Sequence, residues 1–360
     1  MFVAWRDLRF ARGRFALMGT VVVLITLLVG LLSGLTSGLA RENISAVTGL
    51  PASHLAFAAP GGDQKVSFTN SQVPESAWLA WRKQPGVASA HPLGIRTTNA
   101  AVGERTAAVS VFGVEPESGL APKGLSQGRV VLAEKAAKEL GGIRAGDRIS
   151  IGPLDLTVAA VSGTASYSHT PVVWADLRDW QRIGAPGTSP ETTATVIALD
   201  AAAGADLAAG ERATGTRAQT IDEALEAIGS YQAENGSLQL MRGFLFVISA
   251  LVIGAFFTVW TIQRSADIAV LKALGASTPY LLKDALGQAV VMLAAGTGLG
   301  TALASGLGAL IGGSDVPFVL DAPTVLVPAA VMILLGALGA ALSIRRITAV
   351  DPLTALGSAR

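Results

Sequence analysis

The chain has 360 residues, of which 51% are hydrophobic, 15% charged and 6% aromatic, with 41 glycines, no cysteine and a net charge of +1. Charge this sparse, against roughly 25% in soluble globular chains, excludes an ordinary soluble domain, and the hydrophobicity excludes a disordered one. Without cysteine there are no disulfides, thiolate zinc sites, iron–sulfur clusters or cysteine nucleophiles.

In chain order, residues 1–14 carry Arg6, Arg9, Arg12 and Arg14 against Asp7. An uncharged apolar run follows at 15–40, too long for the h-region of a signal peptide and therefore predicted to stay as an anchor. Residues 41–242 are mixed and polar. They predict an α+β domain: a short helix at Ser76–Lys83 with Trp78 and Trp81, and strands at Ala107–Val114, Ile149–Ile151 and Leu156–Val161. A strand running into an amphipathic helix is predicted from Gly128, a further strand at 193–199, and a polar helix at 220–240.

Three more apolar runs lie at 243–263, 285–314 and 322–344, each long enough to cross a bilayer at 1.5 Å per residue. The segments 1–14, 264–284 and 345–360 sum to +6, whereas the turn 315–321 holds only Asp315 and Asp321. Short basic segments stay on the cytoplasmic side. Both termini and the 264–284 connector are therefore expected inside, and the 41–242 domain outside.

Catalytic patterns are missing. There is no P-loop, no zinc-protease motif and no nucleophile elbow, so the chain is not expected to be an enzyme. His54, His91 and His169 are scattered, and each reads as a solvated or turn residue. Nothing suggests nucleic acid as a partner.

The 264–284 connector continues the second span with Ile268, Leu271 and Leu274 at helical spacing; Gly275 would stop that helix and Ser277 would cap the next. The run from Ile268 to Ser277, Ile-x-x-Leu-Lys-Ala-Leu-Gly-Ala-Ser, resembles the coupling segment of FtsX-like, MacB-like ABC-transporter permeases. Arg129–Ile151 is similar to the core of that family's outside domain, and Ile344 to Leu356, with Pro352 and Leu353, to its tail. The resemblance covers essentially the whole chain. It implies a fold of four transmembrane helices plus an α+β extracytoplasmic domain, in the bacterial cytoplasmic membrane. It also implies a dimer of permeases with two copies of a separate ATPase that binds ATP and magnesium. ATP-driven closure would travel through Asp267, Lys272, Gly275 and Ala276 to the outside domain, which is mechanotransmission. The N-terminal helix with Trp5, Arg6 and Arg9 would lie along the inner surface.

The opening stretch, Arg6 to Phe15 with Leu32 to Leu39, further resembles the permeases of bacterial haem exporters. That resemblance implies haem as the substrate, taken from the outer leaflet between the first two spans of a dimer. Haem iron commonly takes His, Cys, Met or Tyr. Cysteine is absent and no histidine is expected at a membrane boundary. The expected substrate residues are therefore Glu42, as tentative iron ligand, with Glu234 and Met241, while Arg41 or Arg242 would pair the propionates. Charges flanking a span also sit ordinarily in the headgroup layer, so each of these has a structural alternative. Export of drugs, peptides or lipoproteins, or activation of a cell-wall hydrolase without transport, are the alternative functions.

Overall fold

The computed structural model describes residues 12–62, 64–184, 193–263, 270, 275–312 and 316–348. The N-terminal segment 1–11, the coupling residues Asp267 and Lys272, and the tail beyond 348 lie outside the described residues. The chain divides into two compact units, Leu39–Gly236 and Met1–Gly38 with Ser237–Arg360.

Four helices are long and apolar enough to cross a membrane, and their apolar runs fall largely in the second of these units. They are α1 (Arg12–Thr48), α7 (Gly229–Gln263), α8 (Thr278–Ile311) and α9 (Ala322–Thr348). Hydrocarbon offers no partner for a backbone amide, so a helix that satisfies its own is the form such runs must take. Small residues let the helices approach. A Cβ on Gly296 would lie 2.8 Å from Val22, one on Gly300 2.7 Å from Thr26, and one on Gly30 2.8 Å from Ala304. Gly34 and Gly308 make room for the ring of Phe318, and Val319 donates its amide to the Gly34 carbonyl at 3.1 Å. Gly275 has φ +97, a left-handed value that favours glycine; Ala276 follows before α8 begins.

The Leu39–Gly236 unit is built on a ten-stranded sheet. Its first strand, β1 (His54–Ala58), pairs antiparallel with β11 (Val196–Ala201) and β12 (Thr216–Thr220). The sixteen-residue β3 (Val87–Val102) pairs with β11 near its start and with β4 (Arg105–Val114) along its second half. From β4 the order continues through β9 (Thr170–Asp176), β5 (Arg129–Leu132), β7 (Leu154–Val161) and β6 (Arg148–Ile151). β6 then pairs back with β3 at Ala100 and Ala101, closing a ring of six strands. The two-residue strands β2 (Val73–Pro74) and β10 (Thr193–Ala194) pair with each other, and β8 (Ser166–Tyr167) pairs with β9.

Strand alternation sends side chains to two cores. Val109, Val111, Val130, Leu132 and Val173 join one, together with Trp78 and Trp81 of α2 (Glu75–Trp81). Phe112, Val114, Val131, Val172 and Trp174 join the other. Successive residues of a strand point to opposite faces, so continuous apolar runs mean that both faces are covered. The ladder partners Gly94 and Gly113 leave a bare patch of sheet on which Trp180 of α4 (Leu177–Ile183) lies. A Cβ would come within 2.4 Å of the indole at Gly94 and within 2.3 Å of the Trp180 Cβ at Gly113.

The polar helix expected over 220–240 is two helices. α6 (Ile221–Leu225) has a capping box between Thr220 and Glu223, and a break follows before α7 starts at Gly229. Ala227 and Ile228, at the break, are buried in the second core and so turn inward where a straight helix would have carried them past. The remaining helices are α3 (Glu134–Glu139) and α5 (Leu207–Thr214).

One surface cluster ties α2 to the sheet. Glu115 accepts from Arg82 at 2.6 Å and pairs with His91 at 3.0 Å. The His91 hydrogen bond, and then those of Arg82, hold its carboxyl below the usual carboxylate range, against burial that pulls the other way.

Two outcomes follow from this packing. Gly113→Ala forces Trp180 off the sheet and should lower stability by about 1–3 kcal/mol, seen as a lower unfolding midpoint with a shifted tryptophan emission. Because folding lowers the pKa of Glu115, its contribution is fully present above the ordinary carboxylate range and is lost as pH falls through the lowered value. Glu115→Gln should therefore unfold at lower temperature than wild type at pH 7, by the equivalent of about 0.2–1 kcal/mol. The two melting curves should converge in acid, below the ordinary carboxylate range.

Candidate functional site

Two of the residues predicted from sequence, Glu42 and Glu234, meet in one polar node within the Leu39–Gly236 unit. Glu42 stands on α1, shortly after its apolar run, and Glu234 on the first turns of α7. The residue between them is His169, which sequence reasoning had set aside as a solvated or turn residue. It does sit in a turn, but its ring faces both carboxylates. Nε2 lies 2.9 and 3.0 Å from the two Glu234 oxygens, and Nδ1 lies 3.9 Å from Glu42 Oε2. Lys135 of α3 holds the other Glu42 oxygen at 2.5 Å.

The turn is a two-residue hairpin connection between β8 and β9. Its central residues, Ser168 and His169, have φ 49 and 65 and are the non-glycine residues of positive φ among those described. A tight hairpin of this hand needs two left-handed residues, for which Asn-Gly is the usual choice. Placing Ser and His there costs of order 1–3 kcal/mol each. The cost is offset by what the turn touches. Its two amides donate to carbonyls of α1, Ser168 to Asn43 at 3.0 Å and His169 to Glu42 at 3.2 Å. Just before the turn, Ser166 donates its amide to Ser45 Oγ at 2.9 Å. Tyr167 anchors the base of the hairpin, edge-on to Phe68 and Phe112, and burial pushes its phenol well above the ordinary value.

The hydrogen bonds have a direction. Ser230 donates to Asn43 Oδ1 at 2.6 Å, so the Asn43 amide nitrogen faces Glu234 and donates to it at 3.0 Å. With Ser230's proton committed, Ser168 is the donor in its 2.8 Å contact with Ser230. His169 Nε2 donates to Glu234 when it carries the ring proton, and it also lies 2.9 Å from the Asn43 amide nitrogen. The chain Ser168 to Ser230 to Asn43 thus ends, as does the imidazole, on Glu234. Asn43 is buried, whereas the side chains of His169 and Glu234 keep 32% and 43% of their exposure, so water or a ligand can reach the acceptor end.

The other predicted residues are placed differently. Arg41 is exposed on α1 next to Glu42. Met241 and Arg242 belong to the membrane unit. Met241 is 51% exposed, in an outward apolar stripe of α7 with Phe244, Ile248 and Leu251, and Arg242 donates to the buried Thr36. Sequence reasoning missed His169, Asn43, Ser168, Ser230 and Lys135. The available signal was His169 itself, since histidine is enriched among left-handed residues and this one stands just before an apolar strand. A separate cleft of about 890 Å³, lined among others by Arg96, Trp180 and Gln181, holds none of the predicted residues. Among the described residues no three carboxylate or histidine side chains are disposed to chelate a resident metal; His169 presents a different nitrogen to each carboxylate.

Comparison with known proteins agrees with both units. Residues 17–216 match the MacB-like periplasmic core domain and residues 240–352 the FtsX-like permease C-terminal domain. A protein of Staphylococcus epidermidis that bears the name hemin transport system permease protein HrtB is 26% identical, the match covering 99% of each chain. Its counterpart in Staphylococcus haemolyticus is also 26% identical, again over 99% of each chain. An uncharacterised ABC transporter permease of Mycobacterium tuberculosis, Rv0072, is 25% identical over 76% of each chain. The chain is a membrane protein of four transmembrane helices and a β-rich MacB-like domain, and it belongs to the FtsX-like, MacB-like family of ABC transporter permeases.

Proposed function

We propose that this chain is the membrane subunit of an ATP-driven exporter that extrudes haem from the outer leaflet of the bacterial cytoplasmic membrane. The carrying observation is the meeting of Glu42 and Glu234 on the two helices, α1 and α7, that continue the first two membrane runs. The likeness to permeases named for hemin transport, along nearly the whole chain, supports the same cargo.

Ferric haem combines a hard cationic iron with a flat apolar ring and two propionates. Carboxylate oxygens suit the iron. The ring is best met by apolar side chains and lipid, and the propionates by guanidinium, for which Arg41 stands next to Glu42. Arg242 is already tied to Thr36, and Met241 belongs to an apolar stripe, so the iron is assigned to the carboxylates. Lys135 and His169 hold the two carboxylates in the resting protein and prevent them from repelling each other.

ATP and magnesium would be bound by a separate ATPase, two copies to a permease dimer, with both permease termini on the cytoplasmic side. Only 22–33% of the most apolar window of each membrane helix is buried within one chain, and lipid and a second copy would cover the remaining exposed faces. Closure of the ATPases would act on the connector containing Gly275 and Ala276, and pass as mechanical movement along α7 to the node.

Haemin titration of the purified permease, followed at the Soret band, tests the cargo. A saturable shift is expected. Glu42→Gln and Glu234→Gln should each weaken binding about tenfold, the ~1.4 kcal/mol of one charge-assisted contact. A wild-type protein that gives no saturable shift would overturn haem as the substrate.

A further inference from the structure

We propose that the Ser168–His169 turn is a latch that holds α7 through Ser230 and Glu234 and must open in each transport cycle. This inference rests on the transporter reading above, and it gives His169 the role of a positioning residue for Glu234.

The hairpin grips its two helices unequally. Its hold on α1 is broad: the Ser166 amide on Ser45, the Ser168 amide on Asn43 and the His169 amide on Glu42. Its hold on α7 consists of side-chain contacts at the tip, Ser168 with Ser230 at 2.8 Å and His169 with Glu234 at 2.9 Å. Hydrogen bonds with water can replace such contacts at little net cost, whereas interlocked apolar side chains resist separation. The base of the hairpin is fixed by Tyr167 in the aromatic cluster, so separation at the tip need not disturb the sheet. The two left-handed residues add a bias: a turn that relaxes toward ordinary φ values moves its side chains off α7.

The consequence for the site is chemical. In the closed state both oxygens of Glu234 are engaged, by His169 and Asn43. A metalloporphyrin can take this carboxylate only when His169 gives it up. Opening would expose the ligand and release α7 from the sheet in one event, which links cargo binding to the helix that leads toward the ATPase connector.

The chain contains no cysteine, so Ser168→Cys with Ser230→Cys introduces a lone pair at positions whose hydroxyls are 2.8 Å apart. The experiment uses the full permease with its ATPase in lipid nanodiscs and measures ATP turnover and haemin release, oxidised and reduced. Oxidation should lower both by roughly tenfold, a ~1.4 kcal/mol penalty on opening, with recovery on reduction. Equal turnover in the two states, with the disulfide confirmed by mass, overturns the latch. His169→Gly supplies the second test, because glycine keeps the left-handed backbone and removes only the imidazole. It should raise turnover without haemin severalfold and abolish stimulation by haemin. An unchanged basal rate with intact stimulation overturns the proposal even if the cysteine pair fails to oxidise. If wild type neither binds haemin nor responds to it, the cargo reading fails. The latch is then judged by basal turnover alone, oxidised against reduced.

Discussion

A peptide group in hydrocarbon must find its hydrogen-bond partner within the protein, and this requirement shapes the chain on both sides of the membrane boundary. It makes α1 and α7 helical through their apolar runs. Helix formation is cooperative, so both stay helical where water would permit other structure. α1 continues to Thr48, and α7 begins at Gly229, before its apolar run. These polar extensions carry Glu42, Asn43, Ser45, Ser230 and Glu234. The candidate site is thus built from the parts of two membrane helices that no longer need to be apolar.

The sheet meets these helix ends through an economy of residues. A two-residue turn with unfavourable φ values would be poorly justified as a mere connection, since glycine or asparagine would form it without strain. Serine and histidine there bring side-chain donors to a place that backbone alone would reach. Glycine is used in the opposite sense at 94 and 113, where removing side chains lets Trp180 cover the sheet. In one place the backbone is strained to present chemistry, and in the other chemistry is removed to permit packing.

Much of this was legible from the residues. The apolar runs and their flanking charges pointed to four membrane helices, and the connector from Ile268 to Ser277 pointed to the family, because both signals are local. The short helix carrying Trp78 and Trp81 and the paired strands β6 and β7 were also visible, as each is contained in one stretch. Glu42 and Glu234 could be suspected from their positions next to apolar runs. Their meeting could not, since it depends on His169 and on pairings of β9 with β4 and β5 that join distant segments. The break between α6 and α7 was hidden because 220–240 has a polar composition compatible with one helix; burial of Ile228 is a tertiary effect.

The way β1 is paired bears on how the protein is made. This strand lies just after α1, yet its neighbours β11 and β12 come roughly 140 to 160 residues later in the chain. As synthesis proceeds, the first membrane helix is available long before its adjoining strand has either partner. The six-strand ring cannot relieve this, for β1 lies outside it. The nascent chain therefore carries an unpaired apolar strand through most of the domain's translation, and the last strand to be laid down, Thr216–Thr220, is one of the two that cover it. Completion of the outside fold is thereby timed to the arrival of α7, so the second membrane helix is delivered to a sheet that has only just closed.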